Sequence, residues 1–505
     1  MKINILEYFY NKVNEHPNKV AVIEGDSCIQ FRQLYEQSIS LAHTLKTINT
    51  PIAVYLPKSI NAVIADTSIT LSGNIYMNLD TKAPIERIKN ILAQVEPSIL
   101  ITSSQYITYI GNILPESLKV YLIDQHTFFF DEQIENEVLI KLKQLINTDP
   151  YCIINTSGST GTPKSVVLNH RSFIDFTDWS VETLQIGRNE IIGSLSPLIF
   201  DIYSHELCMM MSQGSTIVLL PSELSAFPIK ILEILQKEHV SYIFWVPTIM
   251  VNIANMDLLS KIELPDIKNI WFAGEVFPTK QYNYWHKKLP TAKFVNLYGP
   301  IEITLDCTYY IIDREFDDNE PLPIGYPCRN TSILILNEND SLCRAGEEGE
   351  LCVRGTSLAM GYYNNWEKTA TAFTQNPLNT KYPEIIYRTG DIVVENNNGE
   401  IMFRGRKDTL IKHMGYRIEL GEIEHIAVNT MRLVSNACVL YHDNRKEIVL
   451  VYENEKELTP AEFRLQLGLH LPKYMIPTKY IHIDKMPMNT NGKIDRLKLN
   501  KEVNE

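Results

Sequence analysis

Eight cysteines in 505 residues include no Cys-x-x-Cys pair, which removes the spacing that zinc ribbons and dithiol redox centres use. No apolar run approaches the roughly 18 residues that a bilayer crossing needs. Glu7, Lys12 and Glu15 interrupt the N-terminal stretch, so the apolar core of a signal peptide has no place there. A basic surplus is missing too. The 47 Lys and Arg against 60 Asp and Glu leave a formal charge of −13, the wrong sign for a general nucleic-acid or membrane-surface binder. An anionic ligand stays open, because a local site can oppose the global field. Neither internal repeats nor low-complexity tracts occur. Cysteines such as Cys152 in YCIIN sit in apolar, strand-like surroundings, as free core thiols of a reducing compartment do, and a cytoplasmic location is expected.

What is present is an ordinary globular composition, 45% apolar and 21% charged, in a chain longer than the roughly 250–300 residues one core can serve. Two folding units or more are expected. PIAVYLP at 51–57, SILIT at 98–102, KVYLI at 119–123, STIVLL at 215–220 and SYIFWVP at 241–247 read as buried strands. Between them, Ile85, Ile88, Ile91, Leu92 and Val95 share one helical face, and ILEILQKEHV repeats the pattern after Pro228. Such alternation predicts a largely parallel sheet covered on both faces. From about 320 shorter strands take over, with NNNG at 396–399 as a hairpin turn. A boundary is placed at 406–409, followed by a small α+β unit with helices near 419–429 and 459–470.

Five stretches carry chemistry. TSGSTGTPK at 156–164 follows a strand and offers glycines, hydroxyls and Lys164 to phosphate oxygens; a Ser/Gly-rich surface loop has the same composition. It is not a Walker A loop, since Pro163 stands where that motif has glycine. NLYGPIE at 296–302 sets an aromatic ring, a close-approaching backbone and a carboxylate together, a set that suits an adenine base and a magnesium ion, although a structural turn reads alike. YRTGD at 387–391 and RGRKD at 404–408 supply an aspartate able to accept ribose hydroxyls and an arginine able to hold a phosphate. NGK at 491–493 puts a lysine on a tight turn.

In this order and spacing the five stretches resemble the adenylate-forming superfamily, whose members include acyl-CoA synthetases, luciferases, nonribosomal peptide adenylation domains and D-alanine–carrier protein ligases. IQFRQL at 29–34, SGNIYMNLD at 72–80, GELCVRG at 349–355, GYRIELGEIE at 415–424 and LPKYMIP at 471–477 extend the likeness from about residue 6 to 497. The resemblance implies an α/β fold. A large N-terminal domain, 1–406, would hold mostly parallel sheets flanked by helices plus a small β-barrel-like subdomain. A small mobile α+β domain, 407–505, would hinge at Asp408.

It also implies roles, with ATP and Mg2+ as cofactors. Thr156, Ser157, Ser159, Thr160 and Lys164 would hold the β,γ-phosphates, Tyr298 and Gly299 the adenine, Asp391 the ribose hydroxyls, and Arg406 ribose or phosphate. Glu302 would bind the magnesium. Lys493 would bridge the attacking carboxylate and the α-phosphate, a cation cancelling the repulsion between two anions. Two positions depart from the family pattern: Ser165 replaces the usual glycine, and Ile301 replaces a threonine and brings no hydroxyl.

The likeness is nearest to amino-acid activators, because Asp201 in SPLIFDIYS stands where that branch binds the substrate ammonium. A buried carboxylate is costly unless it meets a cation; a helix cap or core-polar aspartate is the other reading. The remaining side-chain positions by the same alignment are Ile202, His205, Thr248, Trp271, Ala273, Leu297, Leu305 and Asp306. Trp271 shortens the cavity against long acyl chains, and Asp306 is placed to meet a basic or hydroxylated side chain. The expected reaction is adenylation of an amino acid, then transfer to the phosphopantetheine thiol of a separate carrier protein, since the chain closes shortly after Lys493. A CoA ligase of the same fold and an inactive nucleotide-binding scaffold are the alternatives. Neither nucleic acid nor membrane insertion is expected.

Overall fold

Strand–helix alternation builds two large sheets, and the C-terminal ends of several of their strands meet at one cleft. A computed structural model describes residues 3–157, 163–188, 190–407, 410–442, 445–488 and 494–504. The first sheet has seven strands, in the order Gly361–Tyr362, Lys164–Asn169, Pro150–Thr156, Ile75–Asn78, Pro51–Tyr55, Ile99–Thr102, Lys119–Leu122. Its last five strands are parallel, and Lys164–Asn169 folds back antiparallel on Pro150–Thr156. The second sheet has nine strands. Its centre, Lys293–Tyr298, Asn269–Phe272, Tyr242–Trp245, Ile191–Ser194, Thr216–Leu219 and Val20–Glu24, is parallel throughout. Val/Ile-rich runs without polar alternation, such as the fully buried Ile99–Thr102 and Thr216–Leu219, are what a sheet covered on both faces requires.

The main core gathers both sheets around the helices Phe31–Thr44, Ile60–Leu71, His170–Thr183 and Asp201–Gln213. Every residue from Ile202 to Ser212 is buried, so this last helix is held on all sides, and it fixes the position of Asp201 at its N-terminal turn. The helix Ile85–Val95 buries Ile88, Ile91, Leu92 and Val95 as its spacing predicts. Ile85, at its first turn, stays exposed instead, and Arg87 is buried, for a reason that lies far along the chain.

From Thr331 to Arg406 a five-stranded antiparallel sheet follows, with Ile385–Glu395 and Ile401–Arg406 joined by the expected 396–399 turn. Residues beyond 410 pack a core of their own around Ile418, Ile423, Val439, Leu450, Phe463 and Met475. They form the hairpin Leu410–His413/Tyr416–Glu419 and a three-stranded sheet. The helix expected at 419–429 is Leu420–His425, which widens into a π turn at Ile426–Thr430; the one expected at 459–470 is Pro460–Leu467, with a Thr459–Glu462 capping box. Among the described residues no helix is long and apolar enough to cross a membrane. Six of the eight cysteines are buried and all are free.

Candidate active site

The cleft lies where ligands collect in open α/β sheets, outside the carboxyl ends of the strands. Thr156 and Ser157, Asp201 and Ile202, Val246, Ala273 and Gly274, and Gly299 to Ile301 each follow a parallel strand and line a cavity of about 130 Å3. The hairpin at 410–419 closes it with Lys412, Gly415, Tyr416 and Arg417.

Among the residues expected to hold the nucleotide, the Tyr298 hydroxyl donates to Asp391, which also pairs with Arg406; Arg406 Nη2 donates to the Thr389 carbonyl at 2.9 Å. Gly299 cannot carry a side chain, because a Cβ there would sit 2.3 Å from the Leu305 carbonyl oxygen. Thr156 lines the cavity at the end of its strand. Ser157 Oγ donates to the Arg417 carbonyl at 2.7 Å, and Lys164 Nζ lies 3.1 Å from Glu419 Oε1. Glu302 is 0% exposed. Its carboxylate meets Arg417 Nη1 at 2.5 Å and accepts from the Tyr362 hydroxyl at 2.8 Å. Burial alone would push its pKa up, but Arg417 and Lys164 beside it, with hydrogen bonds from Arg417 and Tyr362, bring it below the ordinary carboxylate range. Ser165 turns away from the cleft: it is buried, and its hydroxyl donates to Asn155 Oδ1 at 2.7 Å. Ile301 does line the cavity, and presents only hydrocarbon there. Ser159, Thr160, Asp408 and Lys493 lie outside the described residues.

These groups fit a magnesium nucleotide. An ionised oxygen ligand suits a hard cation, and Lys164 and Ser157 would offer a charge and a hydroxyl to phosphate oxygens. Among the described residues no group of three or more His, Cys, Asp or Glu gathers, so a metal at Glu302 would share its ligands with the phosphates of the substrate.

On the other side of the cleft, Asp201 Oδ2 accepts from the Leu305 amide at 3.0 Å, and among the described residues the carboxylate makes no ion pair. Burial pushes its pKa up to about 6, against backbone hydrogen bonds and the charge of Lys412. Asp306 is 2% exposed, with Oδ2 unpartnered among the described residues. Burial and the neighbouring Asp201 raise it well above the usual range, and Lys412 opposes them. His205, one turn along the helix from Asp201, stacks on Trp271 with ring centroids 5.9 Å apart. Both its ring nitrogens and Trp271 Nε1 lack partners among the described residues, and burial pushes the imidazole down to about 3, so it is neutral. Ile202, Ala273 and Leu305 line the cavity, while Leu297 is buried in its strand outside the lining.

Thr248 is set apart from this group. Its amide and hydroxyl both donate to Glu275 Oε2, at 3.0 and 2.5 Å, which holds it in the first turn of the helix Pro247–Asn255. The side chain that meets His205 and Trp271 from this part of the chain is Phe244, at 6.1 and 5.8 Å between ring centroids. Sequence reasoning also passed over Lys412, Arg417 and Glu419. Arg417 and Glu419 belong to the GYRIELGEIE stretch, whose charges were visible but whose partners lie more than one hundred residues away.

A family model described as AMP-binding enzyme matches residues 9–363. Among curated proteins the chain is similar to zwittermicin A synthase ZmaJ of Bacillus cereus, with 28% identity over 98% of this chain and 94% of that protein. Gramicidin S synthase 1 of Brevibacillus brevis is 30% identical over 98% of this chain, which spans only 44% of that protein's length. Among solved structures, the Vibrio cholerae adenylation domain AlmE, in complex with glycyl-adenosine-5'-phosphate, superposes with a TM-score of 0.85 over 100% of this chain and 98% of that one. At 19% identity that likeness speaks for the fold alone.

Proposed function

This chain belongs to the AMP-binding enzyme family and is an adenylate-forming enzyme; from that premise we propose that its acid substrate is an amino acid, activated with ATP and Mg2+ and then passed to a thiol. The observation that carries the reading is Asp201, a carboxylate on the cavity wall whose proton affinity burial has raised. A substrate α-ammonium is the partner that would relieve it. The relatives point the same way: similarity runs to a zwittermicin A synthase and a gramicidin S synthase and, in fold, to an adenylation domain in complex with glycyl-adenosine-5'-phosphate.

In this reading ATP supplies the electrophilic α-phosphorus and the pyrophosphate leaving group. Tyr298 and Gly299 form the adenine platform, while Asp391 and Arg406 orient the ribose. Thr156, Ser157, Ser159, Thr160 and Lys164 would hold the phosphates, and Glu302 would hold the metal, whose charge would offset theirs. Lys493 draws substrate carboxylate and α-phosphate together, so that the barrier from two approaching anions falls. The far wall supports a short side chain bearing a hydrogen-bond donor. Trp271, His205 and Phe244 pack on one another outside the cavity lining, whereas Asp306, on the lining, has Oδ2 buried without a partner among the described residues, a costly state unless a ligand group meets it.

We place the unit boundary between 1–406 and 407–505 with Asp408 as hinge, and take the acceptor to be a phosphopantetheine carrier protein, with coenzyme A as the competing acceptor. The test is mass-spectrometric detection of acyl-AMP across amino acids of both hands, followed by addition of a holo carrier protein or CoA. Aminoacyl-AMP followed by carrier loading is expected; an acyl-CoA product would move the chain to the CoA ligases, and no adenylate from any acid would make it a scaffold.

A further inference from the structure

The helix that carries Asp201 is tied to both large sheets by buried polar side chains that stand outside the cavity lining. Toward the first sheet, the Tyr203 hydroxyl donates to Asp66 Oδ2 at 2.9 Å, and Asn78 Nδ2 donates to the same oxygen at 3.0 Å. Tyr76 donates its hydroxyl to Ser204 Oγ at 2.7 Å. Toward the second sheet, Glu206 Oε2 accepts from Ser194 Oγ at 2.5 Å, and the Ser194 carbonyl accepts from Lys58 Nζ at 2.7 Å. Lys58 stands just before the helix Ile60–Leu71 and Asp66 lies within it. The ties therefore close a ring around the start of the Asp201 helix.

Asp66 is the costly member of that ring. It is 0% exposed, no cation stands beside it among the described residues, and its Oδ1 has no partner among them. Burial pushes its pKa up to about 7, against the bonds from Asn78 and Tyr203. An apolar side chain would fill the same space at lower cost. What the acid supplies is one acceptor shared by two elements. Asn78 ends the strand Ile75–Asn78, which borders Pro150–Thr156, the strand that delivers Thr156 and Ser157 to the cleft. Tyr76 also meets Tyr151 of that neighbouring strand edge-on, with centroids 5.1 Å apart. Tyr203 belongs to the first turn of the Asp201 helix, whose capping residue, Phe200, makes no side-chain hydrogen bond. A helix turns about 100° per residue, so Tyr203 points to the far side of the helix from Asp201. Where Tyr203 is anchored decides where Asp201 faces.

We propose that Asp66 is a positioning residue for amino-acid binding: by holding Tyr203 against the first sheet, it sets where Asp201 stands relative to the strand that leads to Thr156 and Ser157. This rests on the reading of Asp201 as the ammonium site. Asp66 touches no substrate and acts through Tyr203 and the helix backbone. A carboxylate serves an ammonium only at close range, and a misplacement of about 1 Å costs up to roughly a hundredfold.

The test is pyrophosphate exchange on the full chain, with amino acid and ATP varied in turn, for the parent, Asp201→Ala, Asp66→Leu, Asp66→Asn and Tyr203→Phe. The amino acid used is the one that the parent exchanges fastest among the standard amino acids and their mirror images. Asp66→Leu should raise the amino-acid KM about tenfold and leave the ATP KM within about twofold of the parent. Asp66→Asn keeps an acceptor oxygen and should return the amino-acid KM to the parent value. Tyr203→Phe should raise the same KM, and combining it with Asp66→Leu should add nothing, as for two ends of one contact. Tyr203→Phe still fills its place, so it decides the matter if Asp66→Leu fails to fold. A parent-like amino-acid KM in Tyr203→Phe and in folded Asp66→Leu, with Asp201→Ala impaired, overturns the positioning role and leaves the ammonium site standing. A parent-like KM in Asp201→Ala, or no exchange by the parent with any of these amino acids, overturns that site and the positioning role with it. Equal rises in both KM values, unrepaired by Asp66→Asn, would mark an acid that only stabilises the fold and likewise overturn the proposal.

Discussion

Replacing Asp201 tests the amino-acid reading at its physical root. Burial moves this carboxyl from 3.8 to about 6, and two pKa units correspond to about 3 kcal/mol held against the charged form. An ammonium about 4 Å away attracts it by about 4 kcal/mol at an effective dielectric of 20, enough to offset that burden when substrate is bound. Asp201→Ala leaves the substrate cation facing the cavity without a counter-charge. About 3 kcal/mol is expected to be lost, which is roughly a hundredfold in amino-acid KM, with the ATP KM unchanged because Asp201 is absent from the nucleotide side. Asp201→Asn, which keeps the shape, should behave alike. The pH profile supplies the sign. Cation binding needs the ionised carboxyl, so affinity should be flat above pH 6 and fall about tenfold per unit as pH drops below about 6. Pyrophosphate exchange measured against amino-acid concentration and pH decides it. A parent-like KM in Asp201→Ala would refute the reasoning and favour a plain carboxylic acid.

Other outcomes follow from the same geometry. Asp306→Leu removes the unpartnered carboxylate from the far wall, and a substrate panel should shift from hydroxylated or basic side chains toward apolar ones; an unchanged profile means that Asp306 does not read the side chain. Lys493→Ala should abolish adenylate formation yet still load a carrier from supplied aminoacyl-AMP, whereas Asp408→Pro, by restricting φ at the proposed hinge, should spare pyrophosphate exchange and slow loading. Equal loss of both half-reactions in both variants argues against two poses. Gly415→Ala adds a Cβ 3.0 Å from Val246 at a φ of 81°, a strain of about 1 kcal/mol or more; single-turnover carrier loading should slow while exchange stays near the parent rate, and unaltered loading would mean that the hairpin at 410–419 need not seat on Val246.

The elements that read most directly from the sequence are those whose signal is local. Continuous apolar runs such as Ile99–Thr102 and Tyr242–Trp245 became central strands because nothing but burial on both faces accommodates them. Asp201 was legible because an acid inside SPLIFDIYS breaks an apolar frame. Partners distant in sequence were not legible. Arg87 looks like a solvated helix charge until Glu422, 335 residues on, covers it, and Arg417 and Glu302 are 115 residues apart. The sequence pointed to Thr248, whereas the residue beside His205 and Trp271 is Phe244, in the strand Tyr242–Trp245. Thr248 lies just past it, where Glu275 captures its hydroxyl, while Phe244 sits within the strand and meets the His205 and Trp271 rings. The widening of the helix after His425 into a π turn had no periodicity to announce it.

The most direct measurement of the central claim compares acids that differ only in the α-amino group. Pyrophosphate exchange would be run with each short hydroxylated or basic amino acid beside its counterpart bearing hydrogen at that carbon. An α-ammonium held by Asp201 should make the amine-bearing partner the better substrate by roughly a hundredfold in kcat/KM, with that preference lost in Asp201→Ala. Equal exchange from the amine-free acid would contradict amino-acid activation and leave an adenylate-forming enzyme for simple carboxylates.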